Sequence, residues 1–374
     1  MKHTLVFTCF LVAMLLMVGC DREITGNVPQ PQPSSSNCFD CHDYGTDFGS
    51  EVKAAMGQYA NSQHASGNAM RTGSCGGCHT TEGFIESVTG EEFPSGAANA
   101  VGCFACHDPH ENGDFRLRTT AAVELGNGAM FDRNEANLCV ACHHGRRDVR
   151  TYVADGVKLS SHFGPHHNCQ GDMLIGENAY EYAGYSYSQN SWHATGVTDG
   201  CIKCHFDVSD AYNVGGHTFW MEAGESENTA ACNVAGCHVN DTEIDDFDRV
   251  TAYDFDDDGD NTEGAQTEIN DLMHELETAL IAAGLLEWVE DAQAWEPTNG
   301  LTVSDADSVG AVFNWAFVHE DKSHGIHNTR YAAALLISSI NYMTTGNPNG
   351  APQDPDDSDS RTARLASARM MPAH

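Results

Sequence analysis

One five-residue pattern, C-x-x-C-H, occurs five times: "CFDCH" (Cys38, Cys41, His42), "CGGCH" (Cys75, Cys78, His79), "CFACH" (Cys103, Cys106, His107), "CVACH" (Cys139, Cys142, His143) and "CIKCH" (Cys201, Cys204, His205). Two thiols at this spacing can add to the two vinyl groups of one porphyrin. The imidazole that follows is then set under the ring as an iron ligand, which is the attachment pattern of c-type haem. Zinc ribbons also use C-x-x-C pairs, but a histidine after every pair is not part of their pattern. A stretched variant, "CNVAGCH" (Cys232, Cys237, His238), keeps the terminal Cys-His behind a longer spacer and reads as a sixth site.

Six macrocycles attached within residues 38–238 leave little polypeptide for separate cores. The porphyrins must supply most of the buried apolar surface, with loops and short helices wrapped around them. The expected fold is therefore mainly α with low regular secondary structure. Of fifteen cysteines, twelve serve haem, leaving Cys9, Cys20 and Cys169. Cys169 has no partner for an internal disulfide and is expected to be a small buried apolar residue.

The start of the chain explains the other two. Lys2 precedes an apolar run from about Leu5 to Val18, too short to span a bilayer and fitting a secretory signal. It ends in "LMVGC", like a bacterial lipoprotein cleavage site with Cys20 carrying the lipid. Residues 1–19 then form the signal peptide and 20–37 a Pro- and Ser-rich, disordered, lipidated tether. This predicts an exported protein held to the cell envelope by lipid, facing either the periplasm or the cell surface. The net charge of −36, from 54 acidic against 18 basic residues, excludes nucleic acid as a partner, since a polyanion is bound by displacing its counterions with Lys and Arg.

The haem sites define a domain over 38–241. From 242 to 345 the pattern turns helical: Ile269, Leu272, Leu276 and Leu280 recur at helical spacing, and "SVGAVFNWAFV" and "RYAAALLISSINYM" predict two further helices that pack on the haems. Residues 346–374 read as a disordered acidic tail. Between the two regions, "DFDDDGDNTEG" sets Asp254, Asp256 and Asp258 at alternate positions before Gly259, like the first half of an EF-hand calcium loop. Ala265 stands where that loop needs Glu, so the expectation is a shorter calcium loop in which Asp260 and Glu263 add oxygens.

Several local motifs resemble exported multihaem c-type cytochromes of metal-, sulfur- and sulfate-reducing bacteria, commonly lipoproteins: "SQHASG", "CHDPHENGDFRLR", "LCVACHHGRR", "SWHATG", "VGGHTFWM" and "GIHNTRYAAALL". The resemblance spans roughly residues 38–345. It implies stacked haems with two histidine ligands each. The proximal ligands would be His42, His79, His107, His143, His205 and His238. By position in the motifs, His64, His110, His193, His217 and His327 match distal ligands. The sixth lies in "SSHFGPHHN", where His162, His166 and His167 compete and His166, held by the preceding Gly-Pro, is favoured.

With both axial positions filled, an iron can change oxidation state but offers no site to a substrate. The resemblance thus implies an electron carrier that meets other redox proteins of the envelope or extracellular acceptors, or copies of itself in a filament. The rival is an enzyme like the pentahaem nitrite reductases or octahaem hydroxylamine oxidoreductases, which need one open iron.

Overall fold

The three longest helices lie in the last third of the chain, at Ala265–Ala282, Ala306–Asp321 and Thr329–Thr345. Each follows the pattern read from sequence: Ile269, Leu272, Leu276 and Leu280 are fully buried along one face, while His274 is exposed on the other. The 306–321 helix starts at Asp305, whose carboxylate accepts from the Ser308 amide at 2.9 Å and so satisfies one of the free donors of the first turn. It packs close to the 177–187 segment at Gly310, where an added Cβ would lie 2.0 Å from the Tyr180 ring. The 329–345 helix stops at Gly346, which takes the left-handed conformation (φ +74°) that glycine adopts without strain.

These observations come from a computed structural model, which describes residues 47–67, 75–94, 98–108, 116–187, 190–207, 209, 211–238, 244–251 and 253–350. The expectations for the signal, Cys20, the tether, the first haem motif (Cys38, Cys41, His42), His110 and the tail beyond 350 lie outside those residues.

The main hydrophobic core belongs to the three helices. Phe313, Phe317, Tyr331, Leu335 and Leu336 are fully buried in it, joined by Phe255 and by the hairpin of Leu286–Val289 with Ala294–Pro297. It also takes in Val149, Val153, Leu159, Phe163, Cys169 and Met173, which lie between the fourth and fifth haem motifs. Strand pairing of Val157–Lys158 with Thr302–Val303 ties that segment to the same core. Cys169 is fully buried there, its thiol donating to the Phe317 carbonyl at 3.3 Å.

The haem-motif region is built differently. Its motifs sit on single helical turns, Gly76–His79, Cys103–Cys106, Asn137–Val140 and Cys201–His205. Its strand pairs are two residues long, Val123–Glu124 with Met130–Phe131 and Glu222–Ala223 with Ser226–Glu227. Its apolar clusters hold only five buried residues (around Phe131 and Val140) and three (Phe84, Ala105, Leu138). The chain is thus mainly α with little regular sheet, as expected. No helix among the described residues is long and apolar enough to cross a membrane.

Candidate functional site

In the described haem motifs the backbone presents the histidine beside its cysteines. In the third and fourth motifs the histidine amide closes one helical turn onto the first cysteine, His107 N to Cys103 O and His143 N to Cys139 O, both at 2.9 Å. In the stretched motif His238 N still donates to Cys232 O, at 3.1 Å, and the two extra residues are looped out with Gly236 at φ +88°. The longer spacer therefore preserves the closing hydrogen bond. Arg118 braces the third motif, donating to the carbonyls of Phe104 and His107 and pairing with Asp108 at 3.3 Å.

Five motif histidines each face one other histidine. The pairs and their ring-centroid separations are His143 with His64 at 6.0 Å, His79 with His166 at 6.3 Å, His107 with His217 at 6.3 Å, His205 with His327 at 6.3 Å, and His238 with His193 at 6.2 Å. The separation has a simple meaning. Two metal–imidazole bonds of about 2 Å, plus about 1.2 Å from each nitrogen to its ring centre, sum to about 6.4 Å. One metal ion fits between each pair.

Of the three competitors in "HFGPHH", only His166 faces a motif histidine. It adopts a left-handed conformation (φ 76°) directly after Gly164 and Pro165. His167 instead bonds the Glu320 carboxylate at 2.6 Å, and His162 is exposed.

The hydrogen bonds behind these rings fix which nitrogen is free. Nδ1 of His205 donates to the Phe219 carbonyl at 2.7 Å, and Nδ1 of His193 to the Ile326 carbonyl at 2.7 Å. His143 uses the Gln170 side-chain oxygen at 3.1 Å, and His327 the Asp321 carboxylate at 2.7 Å. With Nδ1–H engaged, Nε2 carries the lone pair a metal needs. Burial pushes the pKa of His64, His166 and His205 down to about 4, helped at His64 by the nearby His143 and at His166 by Arg146 and His167. His143, His193 and His217 are lowered for the same main reason. These rings are neutral at pH 7 and ready to ligate. His327 is the exception: burial works against its charge, but Asp321 outweighs it and the pKa is raised.

None of these Nδ1 partners was read from the sequence: Gln170, Phe219 and Ile326 lie on other segments of the chain, and Asp321 reaches His327 from six residues away across the turn at Lys322. Gln170 in turn donates to the carbonyls of Glu320 and Asp321 at 2.9 and 3.4 Å. The short stretch 320–327 thus reaches three of the five pairs: His143 through Gln170, His193 through Ile326, and His327 itself.

The acidic loop closes through the bridge between Val250 and Gly264, just before the 265–282 helix. Its carboxylates fold it by successive short bonds, Asp256 accepting from Asp258 N at 3.2 Å and Asp258 from Asp260 N at 2.7 Å. Asp256, Asp258 and Glu263 bring carboxylate oxygens within 4.8 Å of one another, as do Asp254, Asp256 and Glu268. Asp260 lies outside both sets and bonds Thr262 instead. Glu268 was not read as a candidate; it projects from the first turn of the helix, beyond the twelve positions of an EF-hand template. It is 1% exposed and accepts from the amides of Phe255 and Asp256 at 2.6 and 3.2 Å.

No protein-family model matches the chain. Among curated proteins it is similar to the C-type polyheme cytochrome OmcB of Geobacter sulfurreducens, 23% identical over 85% of this chain and 51% of that protein. It is also similar to the C-type polyheme cytochrome OmcC of the same species, 22% identical over 79% of this chain and 46% of the relative. The chain thus spans about half the length of the curated relatives it matches. Among solved structures it aligns with Outer Cell Wall Cytochrome OcwA at a TM-score of 0.46 and 17% identity, over 77% of this chain and 50% of that one. The motifs and the distant sequence relatives together support reading the chain as a multihaem c-type cytochrome.

Proposed function

We propose that the protein is an electron carrier holding six haem c groups, each iron ligated by two histidines. The observation that carries this reading is the pairing of five motif histidines with five others at the separation one metal ion requires. His42 of the first motif and His110, both outside the described residues, are left as the sixth pair. When bound, each haem supplies a one-electron couple. The polypeptide fixes the ring orientations, keeps the buried rings of His64, His143, His166, His193, His205 and His217 neutral and leaves no axial position for a substrate. The retained hydrogen bond from His238 to Cys232 supports counting "CNVAGCH" as a full site.

The reading extends to an exported chain, anchored by lipid at Cys20, that exchanges electrons with other redox proteins or with its own copies. It also assigns one calcium ion to the loop of Asp254, Asp256, Asp258 and Glu263, with Glu268 completing the oxygen set. Two measurements on the mature protein test the haem reading. Mass spectrometry should give six haem additions, and electron paramagnetic resonance of the oxidised protein should give only low-spin ferric signals. A stoichiometric high-spin signal that shifts with nitrite or hydroxylamine would sink the carrier and promote an enzyme with one open iron.

A further inference from the structure

Four of the paired imidazoles have a defined Nδ1 acceptor, and the acceptors differ in charge. The Phe219 carbonyl, the Ile326 carbonyl and the Gln170 amide oxygen are neutral. The fourth is a carboxylate. Asp321 ends the 306–321 helix with its side chain 1% exposed, and its Oδ1 lies 2.7 Å from His327 Nδ1. Its other oxygen accepts from the Ser323 hydroxyl, whose oxygen in turn receives the His327 amide at 3.2 Å. Ser323 and the chain turn at Lys322 (φ 61°) thereby hold carboxylate and imidazole in one rigid bracket. The neighbouring Lys322 ammonium points to Glu320 instead, at 3.7 Å.

A carboxylate on the far nitrogen makes an axial imidazole a stronger electron donor. Buried, its charge also reaches the iron with little screening. Both effects favour the ferric over the ferrous state. We infer that Asp321 is a positioning residue that sets the haem between His205 and His327 at the lowest potential of the three haems whose ligands have defined Nδ1 acceptors. This rests on the bis-histidine reading above. In a partly reduced molecule that haem would be the last of the three to take an electron and the first to give it up. The electron comes from an electrode or mediator, and the iron passes from ferric to ferrous with no other bond made or broken.

The test is a spectroelectrochemical titration of the full haem-loaded chain beside its Asp321→Asn, Asp321→Glu and Ser323→Ala variants. In Asp321→Asn, one low-lying one-electron wave should move upward, raising its reduced-to-oxidised ratio at fixed potential at least tenfold, which is 59 mV for one electron. Asp321→Glu should keep that wave near its original position. Ser323→Ala removes a donor from the carboxylate and leaves more charge at Oδ1, so it should shift the same wave downward. A titration in which no single wave moves upward in Asp321→Asn, or a uniform shift of all waves, overturns the inference. If Asp321→Asn does not fold, Ser323→Ala decides, and an unmoved or raised wave overturns it. Haem count and electron paramagnetic resonance on the same samples keep the two readings apart. Six low-spin haems with no Asp321 effect refute only this inference, whereas a high-spin centre in the unmodified protein refutes the bis-histidine reading beneath it.

Discussion

The haem-motif region and the helical region of this chain solve the same folding problem with different materials. The helical region buries its own side chains: Phe313, Phe317, Leu276 and Leu336 leave no exposed surface, and the core runs through three long helices. The haem-motif region has two longer helices, Asp47–Tyr59 and Thr81–Thr89, but its described motifs sit on single helical turns or loops, its strands are two residues long and its apolar clusters are small. Burying a handful of side chains does not offset the conformational entropy of ordering so many residues. Covalent porphyrins are the missing apolar mass. The helical region is nevertheless more than a lid, because residues 320–327 hold the hydrogen bonds that orient three of the imidazole pairs. The comparison teaches a division of labour: one region carries the ligating motifs, and the other carries the rigidity that aims them.

The largest effect expected is from withholding haem. Expressed where attachment cannot occur, the chain should keep amide-exchange protection across 265–345 and in 149–175, which shares that core. Protection should fall sharply over 75–143 and 190–238. Hydrogen-exchange mass spectrometry reads both regions in one experiment. Equal protection in the two would break the comparison, as would loss of the helices along with the motifs.

A core truncation sharpens it from the other side. Leu276 is fully buried between helices, so Leu276→Ala should cost about 3 kcal/mol through lost burial and the cavity left behind. The thermal midpoint should fall while the haem count by mass stays unchanged, because the thioether bonds are covalent. If the helical region aims the imidazoles, the low-spin signals should broaden as the 320–327 stretch loosens. Unchanged signals in a clearly destabilised variant would reduce that region to a passive cap.

What could be read from sequence divides along the same line. The attachment motifs are local chemistry and were legible from spacing alone, as were the three long helices from their apolar period. The 286–297 hairpin was not, since the residues that join its strands, "EDAQ", include no Gly, Pro or Asn to mark a turn. The membership of 149–175 in the helical core was also hidden, because periodicity says nothing about which distant face a short segment meets. The choice among His162, His166 and His167 turned on a left-handed backbone angle and on Glu320, 153 residues away from His167. Asp321 was not read as part of the site: it lies only six residues before His327, but the left-handed turn at Lys322 and the Ser323 bracket that set it behind that ring carry no sequence signal.

The smallest expected effect lies at the join between the regions, in the acidic loop, where the sign of the pH dependence is fixed by burial. Glu268 has its pKa raised to about 7, mainly by burial and further by Asp256 and Asp254, despite the amides of Asp256 and Phe255 that favour its charge. Asp256 is also raised, by burial and then by Asp258, Asp254 and Asp271. An acid with a raised pKa in the folded state binds more protons folded than unfolded. Without a cation, stability should therefore fall as pH climbs from the ordinary Glu range of about 4.5 toward 7, with the full penalty present above that. The proposed calcium ion should reverse this by binding only the folded loop, and at a hundred times its dissociation constant it should contribute about 2.7 kcal/mol. Thermal melts at pH 5 and pH 8, each with and without chelator, separate the two terms. Chelation should lower the midpoint clearly at pH 8 and little at pH 5, where protonated Glu268 no longer ligates. Glu268→Gln keeps an oxygen for the amides of Phe255 and Asp256 but loses the charge, so it should reduce the pH slope to the part left by Asp256 and weaken the chelator effect. A chelator effect that persists undiminished in Glu268→Gln would remove this residue from the oxygen set, and no chelator effect at either pH would leave the loop a solvated linker between the two regions.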